Sequence, residues 1–170
     1  CWIYRQHGRT HGTINVSEAL KYSCNYFFYE MGYQLGIERL ERYASQLGLG
    51  QRTGIEIEEN AGILAGPEER KARGGAPWYP ADVLMAAIGQ GDHLFSPLQL
   101  ANYVATLVNG GTRYQPHLLK KITDYTNTET LLEVQPTVLN TVEISDASLE
   151  AIKQGMKGVV TEDGTASSYF

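Results

Sequence analysis

Glu18-Ala19-Leu20-Lys21-Tyr22-Ser23-Cys24-Asn25-Tyr26-Phe27-Phe28-Tyr29-Glu30 reads as the end of one helix, a polar turn, and the start of a second, apolar helix. Upstream, Asn15 is an N-cap with Glu18 at the capping-box position, which predicts a short helix over residues 16–22. Downstream, Asn25 can cap a helix whose Phe27, Phe28, Met31 and Leu35 form a broad apolar face ended by Gly36. That second helix is expected to be deeply buried. In a turn between two helices, positions i and i+2 can face one cleft while i+1 points into the packing. Ser23 and Asn25 would then set a hydroxyl beside a carboxamide. Such a pair can relay a proton and hold an amide, but it contains no group that is a nucleophile at neutral pH by itself.

Working outward, His7-Gly8-Arg9-Thr10-His11-Gly12 is a glycine-broken loop. Ile37, Leu40, Ala44 and Leu47 recur at helical spacing and stop at Gly48, with Glu38, Arg39, Glu41 and Arg42 exposed. Residues 48–67 are glycine-dense loop in which Ile55-Glu56-Ile57 alternates like a short edge strand. Pro67-Glu68-Glu69-Arg70 opens a brief polar helix, with its acids at the positive end of the helix dipole, and Gly74-Gly75 ends it. The nearly unbroken apolar run at 83–88 predicts a helix over 78–88, buried on most sides and ended by Gly89. Ser96-Pro97 is an N-cap followed by proline at the first helical position. The helix over 97–108 carries Leu98, Ala101, Val104, Ala105 and Val108 on one side and stops at Asn109-Gly110-Gly111. The sheet signal is a hairpin, 117–125 with 130–134, around Thr126-Asn127-Thr128. Ser145 caps a last helix bearing Leu149, Ile152, Met156, Val159 and Val160. The expected fold is therefore mainly α with one β-hairpin and room for one short extra strand.

Bulk properties narrow the functions. The 170 residues carry a formal net charge of -5 with lysines and arginines scattered along the chain, so nucleic acid is not an expected partner. No apolar run approaches the roughly 20 residues of a membrane-spanning helix. The chain opens at Cys1 without an initiator Met and reads as an excised piece. Its two cysteines make no disulfide framework. Cys1, His7 and His11 could be read as three metal ligands, but the intervening glycines and the missing fourth ligand argue against structural zinc, and no metal is expected. Cys24 reads as a small buried hydrophobe rather than a catalytic thiol. Gly89-Gln90-Gly91 lacks both the Lys-Ser/Thr of a P-loop and the later glycine of a dinucleotide fingerprint, and no cofactor is expected. There is no Gly-x-Ser-x-Gly elbow and no carboxylate pair with glycosidase spacing.

Alone, Ser-x-Asn is a weak signal, because such residues abound at helix caps. Its context is specific. The 18–30 stretch, then Trp78 and Asp82 ahead of Ala87-Ile88-Gly89-Gln90-Gly91, then Ser96-Pro97-Leu98-Gln99-Leu100-Ala101-Asn102 running to Asn109-Gly110-Gly111, resembles the transpeptidase domain of class B penicillin-binding proteins. The resemblance runs over nearly the whole chain and is greatest to the elongation or sporulation type of Gram-positive bacteria. It implies the helical portion of an α/β, serine β-lactamase-like fold. Residues 1–170 would be a single internal fragment of that domain, lying between its Ser-x-x-Lys and Lys-Thr-Gly segments. Neither motif occurs in the 170 residues.

The resemblance assigns Ser23 a catalytic role, passing a proton between the nucleophile's lysine and the leaving D-alanine nitrogen. It assigns Asn25 a substrate-binding role at the amide of a stem peptide or β-lactam. The nucleophilic serine is absent from this chain, which by itself is expected to be inactive. The implied partners are peptidoglycan stem peptides ending in D-Ala-D-Ala, β-lactam antibiotics and other cell-wall synthesis proteins. The parent protein would be membrane-anchored, with this domain on the extracytoplasmic face of the cell membrane. Freed from the domain's sheet, some apolar helix surface should be exposed. One alternative is a receptor domain that senses β-lactam or muropeptide without turnover. Another is a helical scaffold in which Ser23 and Asn25 merely cap helices.

Overall fold

The computed structural model describes residues 2–161 and 163–169, so Cys1, the first of the three metal-ligand candidates, lies outside the described residues. The helices are α1 (Trp2–His7), α2 (Val16–Lys21), α3 (Asn25–Leu35), α4 (Ile37–Gln46), α5 (Pro67–Ala72), α6 (Pro80–Ala87), α7 (Pro97–Val108) and α8 (Asp146–Val160). The strands are β1 (Thr112–Tyr114), β2 (Lys121–Thr123), β3 (Thr130–Glu133) and β4 (Val138–Thr141). Among the described residues no helix is long and apolar enough to cross a membrane. The chain divides into two compact units, one of Cys1–Arg42, Ala65–His93 and Ile144–Phe170, the other of Tyr43–Leu64 and Leu94–Glu143.

The first unit packs its helices through small residues. A Cβ on Gly155 of α8 would stand 2.7 Å from the Leu20 side chain and 3.0 Å from the Ser17 carbonyl oxygen of α2. Ser17 Oγ donates to Ala151 O at 2.7 Å, so hydroxyl and glycine together set how α2 sits on α8. Likewise, a Cβ on Gly32 of α3 would fall 2.3 Å from the Ala87 Cβ of α6. Contacts this close tolerate no added methyl without a backbone shift. The buried apolar residues of this unit are correspondingly small: Ala19, Cys24, Ala65 and Ala86.

The deep burial expected for α3 and α6 is not found. Phe27, Phe28 and Met31 are half-buried, Leu35 and Met85 are exposed, and Gly32 is the buried residue of α3. Each helix is apolar over a wider arc than its partner covers. Helix α6 also starts later than the apolar run suggests, because Pro80 takes the first turn and Asp82 turns back to accept from Tyr79 N–H at 2.7 Å. At the start of the chain, α1 was not anticipated; it buries no residue and has no cap signal to announce it.

In the second unit the organising residue is polar. Gln99 is 1% exposed. Its Oε1 accepts from Ser96 N–H at 2.9 Å, while Ser96 Oγ accepts from Gln99 N–H at 3.1 Å, which completes the cap of α7. Its Nε2 donates to the Ala61 carbonyl at 2.7 Å and to the Gln51 carbonyl. Farther along α7, Asn102 Nδ2 donates to Tyr114 O of β1 at 2.8 Å. These bonds turn Gln99, Thr106 and Leu107 inward and leave Ala101, Val104, Ala105 and Val108 exposed, the reverse of the face expected from apolar spacing.

The predicted hairpin is present but short, as antiparallel β2–β3. A second antiparallel pair, β1–β4, was not foreseen as a pair, because strands of three and four residues carry little periodicity. Ile55-Glu56-Ile57 is loop rather than edge strand. Its Glu56 accepts from Leu118 N–H at 2.9 Å, and the neighbouring Glu59 accepts from the N–H groups of Thr53 and Gly54 at 2.8 and 2.7 Å, so carboxylates take bonds a ladder would supply. The bridge in this segment lies instead at Ile63 and Leu94.

Two tests follow from the second unit. Replacing Gln99 by Leu strands two carbonyls and one N–H, and should lower the urea-unfolding free energy by about 3 kcal/mol. Asp124, at the β2–β3 turn, accepts from the Thr126 hydroxyl and from Glu129 and Thr128 N–H groups, which hold its carboxyl at about 2, below its ordinary value of 3.8. Its stabilisation is therefore complete above the unfolded value and is lost as pH falls through the folded one. Amide exchange of the hairpin should accelerate between roughly pH 4 and pH 2, and Asp124→Asn should abolish that pH step.

Candidate active site

Helix α2 ends in a closure in which the Cys24 N–H bonds to Ala19 O at 2.9 Å and the Ser23 N–H to Leu20 O at 3.1 Å. This arrangement requires the residue between cap and closing donor to be left-handed, and Ser23 has φ +50. The same five-residue return bond closes α4, α5, α6 and α7, from Leu49 to Ala44, Gly75 to Arg70, Gln90 to Met85 and Gly111 to Thr106. There the left-handed residue is Gly48, Gly74, Gly89 or Gly110. A side chain at such a position costs about 1–2 kcal/mol. At α2 alone of these five ends, that cost is borne by a residue with a hydroxyl.

Neighbours hold the turn in place. Trp2 Nε1 donates to Tyr22 O at 3.1 Å, and Thr165 N–H donates to Lys21 O at 3.3 Å. The Tyr22 ring stacks on His11 with centroids 5.4 Å apart, and Lys21 Nζ lies 5.3 Å from the same ring. Cys24 is 5% exposed and packs inward, whereas Ser23 and Asn25 are exposed, the disposition expected of i and i+2 around a buried centre. One expectation is corrected: Asn25 is the first residue of α3 and the N-cap is Cys24, with no side-chain cap bond. Among the described residues neither the Ser23 hydroxyl nor the Asn25 carboxamide hydrogen-bonds within the protein, so the capping account of these two side chains is not supported. Asn25 lines a cleft of about 390 Å³ with Trp2, Arg5, Gln6 and Tyr29.

The other residues singled out in the sequence have structural work. Trp78 lies under the Arg70 guanidinium, 4.4 Å from ring centroid to carbon, and Asp82 takes Arg70 Nη1 at 2.8 Å. Arg70 Nε also reaches Asp92 at 2.6 Å, and Arg73 joins Asp92 at 3.4 Å. The Arg70 bond, with the Tyr79 N–H behind it, holds the Asp82 carboxyl below its usual range. Next to Asp92, His93 Nδ1 accepts from Ala65 N–H at 3.0 Å, which leaves the Nε2 proton for Ala86 O at 3.3 Å; burial keeps this imidazole below its ordinary value. The network pins both ends of the 88–93 loop. Arg70 and Asp92 were missed in the sequence because a pair 22 residues apart has no local signature. His7 and His11 set their rings edge-on to Trp2 at 6.5 and 6.0 Å, and among the described residues no group of three His, Cys, Asp or Glu side chains could hold a metal ion.

The chain as a whole is similar to known proteins. The family model for the penicillin binding protein transpeptidase domain matches residues 1–169. The chain is 35% identical over 162 residues to peptidoglycan D,D-transpeptidase MrdA of Escherichia coli strain K12, covering 94% of this chain and 25% of that protein. It is also 35% identical over 161 residues to stage V sporulation protein D of Bacillus subtilis strain 168, covering 94% of this chain and 23% of that one. The chain thus spans about a quarter of the length of these curated relatives. Among solved structures, PBP2 of Pseudomonas aeruginosa in complex with WCK 5153 superposes with a TM-score of 0.76 at 32% identity, over 91% of this chain and 34% of that one. A helix-rich chain with short antiparallel strand pairs agrees with the helical portion of that fold. By sequence and by fold, the chain belongs to the penicillin-binding protein transpeptidase family.

Proposed function

We propose that these residues build one wall of the active site of a peptidoglycan D,D-transpeptidase, with Ser23 as its proton-relaying hydroxyl and Asn25 as its substrate-amide ligand. The observation that carries the proposal is the Ser23 backbone. A serine occupies a left-handed position that glycine fills at four comparable helix ends, and its hydroxyl is exposed two residues before an exposed, equally unengaged carboxamide. Strain of this kind is retained where the surroundings enforce it, and it points to a use for the side chain.

The reaction follows from these roles. A serine from a Ser-x-x-Lys segment outside the 170 residues attacks the carbonyl of the D-Ala-D-Ala bond, forming an ester as the C–N bond breaks. Ser23 passes the proton that the departing D-alanine nitrogen needs, a contribution on the order of 100- to 10,000-fold. Asn25 donates to or accepts from the donor's backbone amide, which holds the scissile carbonyl in line for attack. An acceptor amine then displaces the serine and completes the cross-link. A β-lactam enters the same site as a donor mimic and stops at the ester. In this reading the enzyme works at the extracytoplasmic face of the cell membrane, together with other cell-wall synthesis proteins.

Two measurements test the proposal. In the longer protein, Ser23→Ala should slow β-lactam acylation by about 100-fold or more. Ser23→Gly should slow it comparably while raising stability by up to about 1 kcal/mol, since it relieves the left-handed strain. An unchanged acylation rate in both variants would remove Ser23 from the mechanism. Fluorescent penicillin should label the longer protein covalently and leave the 170-residue chain unlabelled. Covalent labelling of the 170-residue chain would mean that the nucleophile lies within it.

A further inference from the structure

From the cleft beside Asn25 we infer that Arg5 is a specificity-determining residue, binding a carboxylate on the donor residue that adjoins the amide held by Asn25. The inference rests on the role proposed for Asn25 and extends it one residue along the substrate. Arg5 lies in the last turn of α1 and lines the same cleft as Asn25 of α3. The other described lining residues are Trp2, Gln6 and Tyr29, so among the described residues the cleft is lined by one cation, several neutral hydrogen-bond donors and no acid. Among the described residues Arg5 makes no ion pair; the acids that pair with arginine do so at Arg70 and Arg73. Glu30, the nearest acid along α3, faces another hollow, with Tyr26 and Met31, and accepts from Gln34 at 2.7 Å.

Geometry and chemistry agree on the ligand. A guanidinium offers a planar fork that matches a carboxylate, and no acid among the described lining residues competes for it. Trp2 is fixed by its bond to Tyr22 O, so the wall that carries Arg5 is tied to the turn that carries Ser23. One peptide residue spans about 3.3–3.6 Å, and a cleft of about 390 Å³ takes roughly one side chain beyond the amide. The favoured donor is therefore a stem peptide in which the residue preceding the acyl D-alanine carries a free carboxylate rather than a carboxamide.

The test uses the longer protein and two penicillins that differ by one group. Benzylpenicillin has a neutral side chain, and carbenicillin adds a carboxylate on the carbon next to the side-chain amide. For each protein the ratio of the two second-order acylation rates is measured, so that any general loss of activity or folding cancels. Arg5→Gln should lower the carbenicillin-to-benzylpenicillin ratio about fivefold, the scale of a charge-assisted bond at a partly exposed site. Arg5→Lys should recover part of it, and added salt should shrink the wild-type preference. A ratio unchanged in Arg5→Gln, while Asn25→Ala slows both penicillins, overturns the role of Arg5 alone. Asn25→Ala slowing neither penicillin overturns the Asn25 assignment and this inference with it.

Discussion

The hydrogen bond from Cys24 N–H to Ala19 O is the constraint on which the site depends. It folds the chain back at the end of α2, forces Ser23 into the left-handed region, and sends Cys24 inward against the buried Ala19. With the middle residue of the tripeptide anchored, its neighbours on both sides have no route into the packing. Serine and asparagine are thus presented together by the backbone, and their side chains need no bonds of their own to be positioned. Tyr22 O and Lys21 O, the last carbonyls before the turn, are in turn held by Trp2 and Thr165.

Beyond this turn the chain relies on polar anchors more than on an apolar core. The buried apolar side chains are few and mostly small, while Gln99 is among the largest fully buried. Arg70, shared between Asp82 and Asp92 and laid over Trp78, does for the 88–93 loop what Gln99 does for the 51–61 loop and the start of α7. Such hubs specify position strongly, because removing one member leaves others buried without partners. Trp78, Asp82, Gln99 and Asn102 hold loops and strands in place.

What could be read from the sequence was what local chemistry decides. Asn15 with Glu18, Ser96 with Pro97, and Ser145 marked helix starts that the structure reproduces, because a cap needs only residues within one turn. The alternation of exposure at Ser23, Cys24 and Asn25 was legible for the same reason. The left-handed backbone at Ser23 was not, since no glycine announces it. Nor was the orientation of α7, where apolar spacing pointed one way and the bonds of Gln99 and Asn102 to distant carbonyls turned the helix the other. The β1–β4 pair and the Arg70 cluster escaped notice because their partners lie far apart along the chain. Local pattern fixes where an element begins, and distant partners decide which side of it is inside.

The bond from Ser17 to Ala151 joins residues 134 positions apart. A six-residue helix such as α2 is too short to persist alone in water, so its lasting form depends on α8. During synthesis the ribosome adds about 5–20 residues per second, which places α8 roughly ten seconds behind α2. Through that interval Tyr22, Ser23 and Cys24 are already made, but the α8 surface that steadies α2 is not. The serine turn is therefore translated well before the helix that steadies α2, and its lasting shape waits on that helix.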